Sequence, residues 1–165
     1  LAIYRQLVDH PAKVTAYIDG LAASIASIIA MAGDEILISE AGFVMIHNAS
    51  GGVIGTASDM RQMADTLETV TASLADVYVS RTQQTAEQIA AWMDAETWFT
   101  AADAVQHGFA TATMPNLKLA AKFDPQQYKH LKRVPEAITG RPVFDNAKRK
   151  LEGMKLRLVR NSRGK

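Results

Sequence analysis

The sequence contains no cysteine. That excludes a disulfide scaffold, a thiol nucleophile and a thiolate metal site, and it leaves the redox compartment unread. Between Lys13 and Lys118 there is no lysine at all, so a Ser-Lys dyad has no lysine to draw on across the patterned part of the chain. The four histidines never fall two to a helical turn, so no metal centre is expected. No phosphate-cradling glycine loop of the Walker type is present, and no cofactor is expected. No apolar run reaches the roughly 18 residues that span a membrane. The first residues lack the charged, apolar, small-residue order of a secretory signal. The chain therefore reads as soluble and cytoplasmic, with no membrane partner. An initiator Met is lacking too, and the sequence opens inside a helical pattern, so the protein is expected to extend upstream of Leu1.

What is present suits one folded domain: 165 residues, 48% of them apolar. The net charge of +1 hides a division. Residues 14–112 carry Arg61 and Arg81 against twelve acids, whereas residues 113–165 carry fourteen Lys and Arg against four acids. Such a split reads as an acidic folded body over residues 1–114 and a basic tail over 115–165. Pro115, Pro125, Pro135 and Pro142 punctuate the tail, and Phe144, Ala147, Leu151, Met154 and Leu158 predict an amphipathic helix over 144–160. No nucleic-acid partner is expected.

Along the body, residues 2–9 read as a helix closed before Pro11, and Lys13–Ile18 alternate as a strand. Ala22–Ala32, apolar almost all round and stopped by Gly33, predicts a buried helix. Glu35–Ser39 and Phe43–His47 read as strands, and Ala49–Thr56, with three glycines, as a loop. Ser58 or Asp59 should cap a long helix to about Ser80, with an apolar stripe of Met60, Met63, Leu67, Val70, Leu74 and Val77. Thr85 caps a helix to Met93, Thr100 caps Ala101–His107, and Phe109–Ala112 is a last strand. Strands alternating with helices indicate an α/β class.

Chemistry concentrates at two places. Gly20-Leu21-Ala22-Ala23-Ser24 joins a strand to an apolar helix. A serine there can be a plain helix cap. It can also be a nucleophile, because the first helical turn offers unpaired N–H groups to an oxyanion and small neighbours admit a substrate backbone. His47 ends the apolar run Phe43-Val44-Met45-Ile46, just before the glycine loop. A lone histidine there is more often structural. Its pairing with Ser24 across adjacent strand–helix units singles it out as a general base. His10, His107 and His130 have no such setting. For a third, orienting carboxylate the residues alone leave Asp94, Glu96 and Asp103 open.

These segments together resemble the proteolytic subunit of the Clp serine protease family. Gly20 to Ser24 matches its G-x-A-A-S nucleophile segment, and Met45-Ile46-His47 followed by Gly51-Gly52 matches its Met-Ile-His strand end and Gly-Gly loop. The likeness covers about residues 1–113. It implies an α/β spiral of strand–strand–helix units of the ClpP/crotonase type, with its N-terminal part missing from the sequence. It also implies peptide hydrolysis through an acyl-enzyme: Ser24 attacks, His47 moves the proton, the Ile25 N–H faces the oxyanion, and Gly51 and Gly52 form the substrate loop. Thr100-Ala101 sets a register that puts the family's acid, usually Asp, on Glu96. The upstream Ser-Pro-Gly-Gly turn that supplies the family's second oxyanion N–H is not in the sequence. Further implied are a polypeptide substrate, a homo-oligomer of stacked rings joined through the long helix, and an ATP-dependent unfoldase partner. Glu96-Thr97-Trp98-Phe99-Thr100-Ala101 and the basic tail resemble prophage-encoded members that process capsid or scaffold proteins. Two other readings share the fold: a crotonase-type acyl-CoA enzyme, which needs no Ser24–His47 pair, and an inactive homologue that only assembles.

Overall fold

The computed structural model describes residues 1–115; the basic tail and its expected helix over 144–160 lie outside the described residues. In chain order the elements are α1 (Ala2–Val8), β1 (Thr15–Ile18), β2 (Leu21–Ala23), α2 (Ile25–Ala30), β3 (Glu35–Ser39), β4 (Phe43–Ile46), α3 (Ala57–Thr82), α4 (Ala86–Asp94), β5 (Thr97–Thr100), α5 (Ala101–Gln106) and β6 (Ala112–Met114). The class is α/β, as the alternation of elements implies.

Strand, strand, helix occurs twice in succession, as β1-β2-α2 and β3-β4-α3. The first strands of the two units pair parallel, and so do the second strands. One sheet thus runs β1-β3-β6 and the other β2-β4-β5, with β5 antiparallel to β4. The turn between β3 and β4 depends on Gly42, where a Cβ would lie 2.7 Å from Ile38 Cγ1 and 2.8 Å from Ser39 O. Ile36 and Ile38 of β3, Val44 and Ile46 of β4, Ile28 of α2 and Phe109 are fully buried and share one core. Phe99 belongs to the same core, 4.7 Å from Phe109 by ring centroid, and Trp92 packs edge-on against Phe99 at 5.1 Å. No helix among the described residues is long and apolar enough to cross a membrane.

The structure corrects several boundaries. The helix expected over Ala22–Ala32 is a short strand followed by α2, because Leu21 to Ala23 pair with Phe43 to Met45; tertiary pairing overrides the helical preference of alanine. Nor is α2 buried all round, since Ile25 and Ala26 at its start are exposed. Lys13 and Val14 precede the first strand, where Asp34 Oδ2 accepts the Val14 N–H at 2.8 Å. Thr97–Thr100 is a strand that the alternation did not single out. The last strand begins at Ala112, because the N–H groups of Phe109 and Ala110 both turn back to Ala104 O after Gly108. The long helix is capped by Thr56, not Ser58 or Asp59: Thr56 Oγ1 accepts the Asp59 N–H, and Asp59 Oδ2 accepts the Thr56 N–H at 2.7 Å. It runs past Ser80 to Thr82, and only Tyr78 and Thr82 of its 26 residues are buried.

Candidate active site

Ser24 stands between β2 and α2 with φ 56° and ψ −126°, a backbone region that L-residues with a Cβ rarely occupy. It is held there from the strand side. The β2–β4 ladder brings Ala23 opposite Met45, and the Ser24 N–H donates to Met45 O at 2.9 Å. His47 lies two residues beyond Met45, so the same ladder sets the register of serine and histidine. Ser24 Oγ lies 2.8 Å from His47 Nε2. Ser24 occupies the N-cap position of α2 but makes no side-chain cap; its hydroxyl is directed at the imidazole instead.

Behind the ring, His47 Nδ1 is 4.0 Å from Glu96 Oε2. That is the distance of an ion pair and not of a hydrogen bond. Glu96 is only 3% exposed and has φ 50°. It lies just past the end of α4, its N–H bonded to Met93 O at 3.1 Å. Its Oε1 is buried without a hydrogen-bond partner among the described residues. Burial lowers the His47 pKa below its ordinary 6.5, and the field of Glu96 offsets part of that shift. Asp94 accepts a hydrogen bond from Asn48 Nδ2 at 2.7 Å, one residue away from the imidazole. Asp103 is taken up by the capping box of α5. Of the three acids open in the sequence, Glu96 is thus the one brought to His47. Asp94 and Glu96 are separated by the end of α4, where the chain turns through Ala95 and the left-handed Glu96.

Ile25 is the first residue of α2, where a helix has N–H groups without intrahelical acceptors. Gly51 and Gly52 lie in the exposed, irregular segment after β4. A Cβ at Gly52 would meet nothing, and one at Gly51 would make only ordinary contact, at 3.5 Å, with Leu67 Cδ2. Of the other histidines, His10 accepts the Ala12 N–H, His107 packs on Trp92, and His130 lies outside the described residues. Among the described residues no group of three or more His, Asp or Glu could hold a metal ion.

Sequence reasoning missed Asn48, Ser27 and Tyr78. Ser27 Oγ donates to Ser24 O at 2.6 Å and sits 2.7 Å from Tyr78 Oη. The available signal was weak: a hydroxyl on the buried side of an apolar helix, which must find a partner. A hydroxyl, an imidazole and a carboxylate in this order can take a proton off the hydroxyl and stabilise the resulting imidazolium.

The Clp protease family model matches residues 1–116. The chain is 32% identical over 121 residues to the ATP-dependent Clp protease proteolytic subunit 1 of Corynebacterium jeikeium, covering 72% of this chain and 64% of the relative. It is 34% identical over 112 residues to subunit 2 of Rhodococcus jostii, covering 66% of this chain and 57% of that protein. It is 35% identical over 118 residues to subunit 2 of Thermobifida fusca, covering 70% and 58%. The chain thus spans less than two thirds of the length of these curated relatives. With the matched segment taking in every described element, the chain belongs to the Clp protease family.

Proposed function

We propose that the protein is a serine endopeptidase, with Ser24 as nucleophile, His47 as general base and Glu96 as the acid behind it. The observation that carries this reading is the 2.8 Å contact between Ser24 Oγ and His47 Nε2, made from a strained serine backbone. Ser24 Oγ attacks the scissile carbonyl carbon as its proton passes to His47 Nε2. The carbonyl oxygen gains the negative charge and faces the Ile25 N–H. Nε2 then returns the proton to the departing amine as the C–N bond breaks, leaving an acyl-enzyme on Oγ. Water then attacks the acyl carbon and gives a proton to Nε2, which passes it to Ser24 Oγ as the acyl C–O bond breaks, restoring the hydroxyl and releasing the acid. Glu96 stabilises the imidazolium across Nδ1 in both halves. The lowered His47 pKa keeps the ring neutral, and so able to act as a base, at neutral pH.

The family supports the finer parts of the proposal: a spiral of strand–strand–helix units, a polypeptide substrate admitted along Gly51 and Gly52, and a cytoplasmic homo-oligomer in stacked rings. The names of the relatives, ATP-dependent subunits, support work beside an ATP-driven unfoldase. Likeness of residues 96–101 to prophage members supports capsid or scaffold protein as substrate. A fluorophosphonate probe tests the core of the reading. It should label Ser24, and Ser24→Ala should abolish labelling; label on Ser27 in place of Ser24 would overturn it.

A further inference from the structure

Ser24 is strained, and a strained backbone persists only where its surroundings over-determine it. The strand side is accounted for by the Ser24 N–H bond to Met45 O. On the helix side, Ser24 O accepts two hydrogen bonds from one residue, the Ser27 N–H at 3.0 Å and the Ser27 hydroxyl at 2.6 Å. A serine hydroxyl has one proton. Since Ser27 spends it on Ser24 O, the 2.7 Å contact with Tyr78 must be a bond that Tyr78 donates. The result is a one-way chain, Tyr78 O–H to Ser27 Oγ–H to Ser24 O. Ser27 and Tyr78 are both essentially inaccessible, and bonds in such a dry chain reinforce one another. Tyr78 comes from the far end of α3 and is itself wedged edge-on against Phe109, with ring centroids 5.8 Å apart. Burial pushes its pKa up to about 12, so it keeps its proton at any working pH.

We propose that Ser27 and Tyr78 are positioning residues for the reaction: their hydroxyls clamp the Ser24 carbonyl and so hold Ser24 Oγ on His47. This rests on the reading of Ser24 as nucleophile. Neither hydroxyl touches substrate; both act through the Ser24 backbone, and Tyr78 ties that backbone to α3.

The test compares Ser27→Ala, Tyr78→Phe and the double variant in the whole chain, reading the rate of fluorophosphonate labelling and the urea midpoint of unfolding. Each single change leaves a buried hydroxyl short of a partner and should lower the midpoint. The double change removes both hydroxyls and leaves apolar contact, so the midpoint should return close to wild type. Labelling should be slowed about tenfold or more in Ser27→Ala, the factor that corresponds to about 1.4 kcal/mol, and should stay equally slow in the double variant. A double variant that regains both stability and wild-type labelling makes the pair a packing feature and overturns the proposal. Ser24→Ala is run alongside. If the wild type takes no label, or Ser24→Ala still does, the reading of Ser24 itself falls and this inference falls with it.

Discussion

Among the described residues, three non-glycine positions have positive φ: Ser24, Gln83 and Glu96. Gln83 closes a helix, where a left-handed residue is common. The other two are the ends of the hydroxyl–imidazole–carboxylate row. Each costs about 1–3 kcal/mol, and both are placed where a small rotation would open a gap to His47. Glu96 is already 4.0 Å from the ring, so its contribution is the field of a buried charge more than a direct bond. Glu96→Gln removes that charge at nearly constant shape. Turnover of a peptide substrate should fall by about 10⁴-fold, the scale reached when an orienting acid is lost, while circular dichroism stays unchanged. Asp94→Asn keeps an oxygen acceptor for Asn48 and should alter turnover little. Collapse in Asp94→Asn with full activity in Glu96→Gln would move the role to Asp94. The pH profile provides a second check. The base must be neutral, so kcat/KM rises with pH through the His47 pKa. Because burial outweighs the Glu96 field, the midpoint of that rise should lie below 6.5. In Glu96→Gln the opposing field is gone and the midpoint of the residual activity should move lower still. A wild-type midpoint above 6.5 would show that the Glu96 field outweighs burial at His47, and the absence of any rise with pH would contradict a histidine base.

At the scale of elements, the turn from α5 into β6 joins a left-handed backbone to a close approach. Gly108 has φ 84°, and a Cβ there would lie 2.9 Å from Thr82 O and 3.0 Å from Thr82 Cα, both backbone atoms. Gly108→Ala should therefore lower unfolding stability by about 1–3 kcal/mol, read as a fall in the urea midpoint. Gly52→Ala, with open space around it, should change the midpoint little, and equal effects at both would refute the steric account. These turns also mark where the sequence could and could not be read. Thr85 and Thr100 were legible as caps because a hydroxyl three residues before a helical N–H has one obvious use. β3 and β4 were legible because isoleucine, valine and phenylalanine crowd short runs. β2 was not, since Leu-Ala-Ala is helical by preference and becomes a strand only through β4, some twenty residues on. Ser24 and His47 could be paired from the order of their segments. The strain at Ser24 could not, because nothing in an Ala-Ser-Ile string announces a positive φ. Nor could the turn at Glu96, since nothing in Asp-Ala-Glu-Thr announces a positive φ.

For the whole molecule the decisive feature is α3. Twenty-six residues at 1.5 Å each make a helix about 39 Å long, yet among the described residues the core packs against its C-terminal part, around Leu74, Val77 and Tyr78. Ahead of that part the stripe is covered only in places among the described residues: Met63 and Leu67 are half-buried, but Met60 is 54% exposed and Val70 39%, and Ile54, just ahead of the helix, is fully exposed. The even spacing of the stripe looks core-facing in the sequence, but the fold leaves Met60 and Val70 in solvent. Apolar side chains aligned along one helix face mark an association surface, and membership of the Clp protease family makes a second copy of the chain the occupant to test. Met60→Glu with Val70→Glu places two charges in the stripe at positions that no core residue needs, with a residue that favours helix. The wild type should sediment well above its 17.9 kDa chain mass. The double variant should shift toward that mass with its circular dichroism intact, because burying carboxylates against another apolar stripe is costly. Single variants should weaken association in a concentration-dependent way and leave the unfolding midpoint at high dilution unaltered. A wild type that sediments as a monomer, or a double variant that keeps the wild-type mass, would show that the stripe does not join copies.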